Sequence, residues 1–80
     1  MLRDFETVRS REVAKAARER LRKSPYQAVR HVGCECDGGV LFLRGRVPSY
    51  YQKQLVQETV SELSAVADVV NETEVISEDG

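Results

Sequence analysis

The chain has 80 residues, with 12 Lys and Arg against 13 Asp and Glu, a formal net charge of -1 and two cysteines. Eighty residues support one core, so a single domain is expected. The 41% hydrophobic and 31% charged content excludes a disordered chain, no apolar run reaches the roughly 18 residues of a membrane span, and two cysteines exclude a disulfide scaffold.

Charge is unevenly placed. Residues 1–30 carry nine basic and four acidic residues, and residues 31–80 carry three basic and nine acidic ones. Such a dipolar chain can neutralise itself on folding, or present one end to an anionic surface. The start, Met1-Leu2-Arg3-Asp4-Phe5-Glu6, lacks the apolar segment of a secretory signal, so a cytoplasmic place is expected if this is the native start.

Residues 1–9 show no clear periodicity and read as a flexible arm. From Ser10 to Ser24 the pattern is helical, with Ser10 as cap and Thr7 as its rival. Val13, Ala17 and Leu21, with Ala14 beside them, make one apolar stripe. Ser24-Pro25 ends the helix, because a residue before proline is pushed out of helical geometry.

Residues 29–47 read as a β-hairpin. Val32, Cys34 and Cys36 alternate with Gly33 and Glu35, and Asp37-Gly38-Gly39 is a turn signal. Leu41, Leu43, Gly45 and Val47 then share one face, and Val40, Phe42, Arg44 and Arg46 the other. A two-residue loop at either Asp37-Gly38 or Gly38-Gly39 keeps these faces together, whereas a three-residue loop would scramble them.

Pro48 breaks the strand, and Ser49-Tyr50-Tyr51-Gln52 fits a capping box with Gln52 reaching back. The second helix buries Leu55, Val56, Thr59, Val60 and Leu63 and ends near Ser64, with Tyr51 at the core edge and Tyr50 exposed. A third strand follows within Val66–Ile76. Val69, Asn71, Thr73 and Val75 point inward, although Asn71 and Thr73 are poor core residues; Val70, Glu72, Glu74 and Ile76 point outward. Ser77-Glu78-Asp79-Gly80 is a polar tail.

The expected fold class is α+β: a two-layer sandwich in α-β-β-α-β order, its three-stranded mixed sheet carrying two helices on one face. A right-handed crossover runs the third strand parallel to the second. Adjacency of those strands would set Arg44 and Arg46 against Glu72 and Glu74 on the outer face, with Glu35 on the other side.

The stretch from Val32 to Val75 resembles the BON domain, the family of bacterial osmotic-shock-protection and nodulation domains. The likeness rests on the alternating strand Val32–Cys36, Gly39-Val40-Leu41-Phe42-Leu43, Gly45 with Val47, the helix from Ser49, and Val66…Val69-Val70-Asn71…Val75. With Leu21 and Ser24-Pro25 of the first helix, it covers about residues 10–76. Ala65 departs from the glycine usual before the last strand, and Cys34 and Cys36 stand where Val or Ile is usual. The resemblance implies a non-enzymatic module that binds phospholipid or other ligands.

Two surfaces are candidates. Arg11, Lys15, Arg18 and Arg22 fall at i, i+4, i+7 and i+11 and span about 60° of the first helix, roughly opposite its apolar stripe. Such a ridge suits anionic lipid head groups or an acidic ligand, which would place the protein at the periphery of a membrane. Local pairing with Glu12 and Glu19 is the alternative. Nucleic acid is disfavoured, since no aromatic platform accompanies the ridge. The second surface is the outer sheet patch of Val40, Phe42, Val70 and Ile76, suited to a protein partner, to a homodimer, or to cover by the arm through Phe5 and Val8.

No catalytic residue, cofactor or metal site is expected. Cys34 and Cys36 lie on the opposite strand face from His31 and Asp37, so a ligand set does not converge, and the two thiols read as reduced core residues. Gly38-Gly39…Gly45 lacks the Gly-Lys-Ser/Thr ending of a phosphate loop.

Overall fold

The computed structural model describes residues 2–63 and 66–76, with the backbone alone for 2–7. The elements are α1 (Leu2–Arg22), α2 (Gln27–Arg30), β1 (Gly33–Asp37), β2 (Val40–Arg44), β3 (Arg46–Val47), α3 (Tyr50–Ser61), β4 (Asp68–Asn71) and β5 (Glu74–Val75).

The first helix starts at Leu2, not at Ser10, so most of the segment expected as an arm is helical. No glycine or proline interrupts residues 2–24, and a Ser inside such a run is a weaker signal than the uninterrupted helical propensity around it. At 21 residues α1 extends about 31 Å, longer than any strand it covers. Its buried residues are Ala14, Ala17 and Leu21, whereas Val8 is 52% exposed. The N-terminal half therefore overhangs the sheet, and the molecule is 51 Å long against 21 and 16 Å in its other dimensions.

A second difference is α2, a single helical turn between Tyr26 and His31 that takes up residues 29 and 30, where the hairpin was expected to start. It buries Val29 completely. The strand itself begins only at Gly33.

The hairpin uses Gly38-Gly39 as its loop, since Asp37 pairs with Val40, Cys36 with Leu41 and Cys34 with Leu43. Both glycines have positive φ, 58° and 86°, the requirement of a tight turn that follows the strand twist. Leu41 and Leu43 are fully buried, while Phe42 between them is half-buried on the opposite face.

Strand order is β1-β2-β4, with β1 antiparallel and β4 parallel to β2, as the crossover rule requires. The pairs Leu43 with Asn71 and Val47 with Val75 keep one register through β2–β3 and β4–β5. Backbone bonds from Glu72, Glu74 and Ile76 N–H to the carbonyls of Leu43, Gly45 and Val47, each 2.8 Å, carry the ladder across the gap. Gly45 marks the break in the central strand at φ 155°, and a Cβ there would lie 3.4 Å from Val32 Cα. The inward set of the last strand is as expected, although Val66 and Ala67 precede the strand proper.

The core joins Ala17 and Leu21 of α1, Val29 of α2, Val32 just before β1, Leu41, Leu43 and Val47 of the sheet layer, and Val56 and Val60 of α3. Both long helices thus lie on one face. Arg20 of α1 and Glu62 after α3 close the helix layer with a 2.9 Å ion pair. On the bare face Arg44 bridges Glu72 at 3.1 Å and Glu35 at 3.4 Å, and Arg46 reaches Glu74 at 4.0 Å. The expected charge ladder is therefore present, and it pins β2 between β1 and β4.

Ser49 caps α3 by accepting the Gln52 N–H at 3.2 Å. The return arm of the capping box is missing: Gln52 Oε1 is buried and has no partner among the described residues. The helix ends at Ser61; the expected end at Ser64 lies outside the described residues.

Candidate binding surfaces

The α1 ridge differs from expectation in its angle. Ala14 is 7% exposed while Val13 is only half-buried, so the buried line runs through Ala14, Ala17 and Leu21. That line is turned about 30° toward the cations, which leaves them on the flank of the helix rather than opposite its buried side. The smaller alanine lets the helix approach the sheet more closely than the branched Val13 would.

Arg11, Lys15 and Arg22 are exposed, and Arg18 is half-buried. Arg18 Nη1 donates to the Cys34 carbonyl at 3.2 Å. The two-residue loop explains why that carbonyl is free: Asp37 and Val40 flank it as a hydrogen-bonded pair, so Cys34 and Cys36 turn their backbone groups away from β2 to the open edge. Arg18 therefore covers part of an edge strand, and among the described residues no carboxylate pairs with it. Among the described residues, Glu12 and Glu19 form no ion pair with the ridge.

The outer sheet patch is open. Val40 and Phe42 are half-buried, and Val70 and Ile76 are 36% and 40% exposed. Among the described side chains the expected arm gives it no cover: residues 2–9 extend α1, whose packing is on the other face, and Val8 stays exposed. The side chain of Phe5 lies outside the described residues. Beside Phe42 a shallow depression is lined by Gly33, Cys34, Glu35 and Arg44, but its two charged groups already pair with each other.

Cys34 and Cys36 are free and half-buried, not fully buried as expected, because β1 is an edge strand. Burial pushes the Cys34 thiol up to about 11 against the opposing pull of Arg18, so it is protonated and a poor nucleophile at neutral pH. His31 is exposed, its Nδ1 2.9 Å from the Gln27 carbonyl. Among the described residues no group of three or more His, Cys, Asp or Glu side chains converges to hold a metal ion. Ser61, in a second shallow depression along α3, donates its hydroxyl to the Gln57 carbonyl at 2.6 Å. In the depression along α3, Glu62 is also paired, with Arg20.

Sequence reading missed the end of the molecule built by α2. There Tyr26 meets Tyr51 edge to face, with ring centroids 6.1 Å apart. Tyr51, expected at the core edge, is 64% exposed, and Tyr50 is 75% exposed. A four-residue helix has too few positions for periodicity to reveal it.

Among the described residues no helix is long and apolar enough to cross a membrane. The family model of the BON domain matches residues 10–77. Among curated proteins, none matches the chain.

Proposed function

The chain belongs to the BON domain family, and from that premise we propose that it is a non-catalytic binding module that docks on anionic phospholipid head groups through Arg11, Lys15, Arg18 and Arg22. The observation that carries this reading is the flank of α1, where three exposed cations and Arg18 stand without a carboxylate partner among the described residues. Each cation near an anionic membrane surface contributes about 1 kcal/mol of attraction, and four on one line act together. On this reading the protein is peripheral to the cytoplasmic leaflet.

Co-sedimentation with vesicles tests it. Binding to vesicles containing phosphatidylglycerol, weakened by salt and absent on pure phosphatidylcholine, is the expected result. Replacing Arg11, Lys15, Arg18 and Arg22 by Gln together should abolish it. Salt-insensitive binding, or binding retained by that variant, would reject the ridge.

A second reading is favoured by one observation: Phe42, Val70 and Ile76 lie on the sheet face that neither long helix covers. That face suits a protein partner or a second copy of the chain. If it self-associates, the parent sediments as a dimer and Phe42→Lys as a monomer. A monomeric parent whose mass is unchanged by Phe42→Lys ends the homodimer reading.

A further inference from the structure

We infer that the α2 end of the molecule is the part that enters the head-group layer of an anionic bilayer, with Tyr50 and Tyr51 as interfacial anchors and Arg22, Lys23 and Arg30 as the cations around them; this rests on the phospholipid reading above. The geometry begins at Tyr26. It packs against the core and gives Tyr51 an edge-to-face support at 6.1 Å. The Ser49 cap starts α3 one residue before Tyr50, which places both tyrosines in its first turn. They remain 75% and 64% exposed, so burial within the fold does not account for two adjacent aromatic rings there.

The sequence around this end is rich in cations and poor in acids. No Asp or Glu occurs between Glu19 and Glu35, or between Asp37 and Glu58. Those two stretches supply the end of α1, α2 and the start of α3; α2 packs on both long helices, while Arg20 in the last turn of α1 meets Glu62 beyond the far end of α3. Arg22, Lys23 and Arg30 are all exposed, and Arg30 is held near the α1 terminus by its 2.9 Å bond to the Ser24 carbonyl. The nearest acid on α3, Glu58, stands two turns beyond Tyr51 on the same side of the helix, and after the contact with Tyr26 its charge also helps to raise the Tyr51 phenol above its ordinary value. A tyrosine has an apolar ring and a polar tip, and so suits the boundary between acyl chains and water, while the cations meet lipid phosphates. The ridge of α1 ends at this tip through Arg22, so attraction along the helix delivers the aromatic end to the surface.

The chain offers a direct reporter. It has three tyrosines, Tyr26, Tyr50 and Tyr51, and no tryptophan, so its intrinsic emission comes from this end alone. In the full chain, phosphatidylglycerol-containing vesicles should reduce acrylamide quenching of tyrosine emission about threefold. Tyr50→Ser with Tyr51→Ser should weaken vesicle binding about tenfold while the α1 cations remain. Tyr50→Ser alone serves as the second variant, since Tyr50 lies outside the Tyr26–Tyr51 ring contact. Co-sedimentation with unchanged quenching, and with full binding by Tyr50→Ser and the double variant, overturns the tip and leaves the ridge standing. Absence of co-sedimentation overturns both.

Discussion

Leu43→Ala is expected to lower the free energy of unfolding by about 3 kcal/mol. Leu43 is fully buried in the central strand, between β1 and β4, beneath both long helices. Truncation removes its apolar contacts and leaves a void that strands fixed by two ladders cannot collapse to fill. A domain of this length has about 4–12 kcal/mol in total, so the variant loses a large share of it. The melting temperature followed by circular dichroism should fall by about 15 °C. Phe42→Ala, one residue away, should cost less than half as much, because Phe42 lies half-buried on the bare face. Equal losses at the two positions would mean that the faces are not divided as described.

That contrast was legible in the sequence because a strand has a period of two, and one slip would exchange every side chain between faces. The same periodicity placed Glu72 and Glu74 opposite Arg44 and Arg46, and the ion pairs form there. Helical periodicity was less decisive. Val13 and Ala14 both border the stripe, and only packing against the sheet chose Ala14. The helix start was hidden for a different reason: nothing in residues 2–9 halts a helix, but nothing periodic there announces one. The aromatic end escaped notice because its parts are distant in sequence. Tyr26 and Tyr51 are joined only by the way α2 fills the space between α1, β3 and α3.

The two binding readings differ in what they demand of the fold. The ridge needs only a helix flank, so its cations act through charge and tolerate small movements of α1. The tyrosine tip needs Tyr26, α2 and the Ser49 cap in place, and therefore depends on the interior. A variant that loosens the core without touching a surface residue should weaken tip-dependent binding before it affects salt-sensitive attraction.

Asn71→Asp should cost about 2–3 kcal/mol of stability, although the side chain keeps its shape. Asn71 and Thr73 look misplaced on an inward strand face, and their hydrogen bonds resolve this. Asn71 Nδ2 donates to the Lys53 carbonyl of α3 at 2.8 Å, while its Oδ1 accepts the Thr73 N–H at 3.2 Å and the Thr73 hydroxyl at 2.6 Å. Lys53 Nζ returns to the Thr73 carbonyl at 2.7 Å. The Thr73 N–H cannot join the parallel ladder, whose donors on this strand are Glu72, Glu74 and Ile76. Asn71 therefore satisfies a backbone donor of an edge strand and ties that strand to the helix. Aspartate keeps the acceptor for Thr73 but sets a second oxygen against the Lys53 carbonyl, where the donor stood. Thr73→Val, which removes only the hydroxyl from a nearly fully buried residue, should cost about 1 kcal/mol. The double variant should lose more than the sum of the single losses, because the Thr73 hydroxyl is then no longer there to donate to the new carboxylate. Additive losses in urea unfolding would show that Asn71 and Thr73 act separately and that the network does not hold α3 to the last strand.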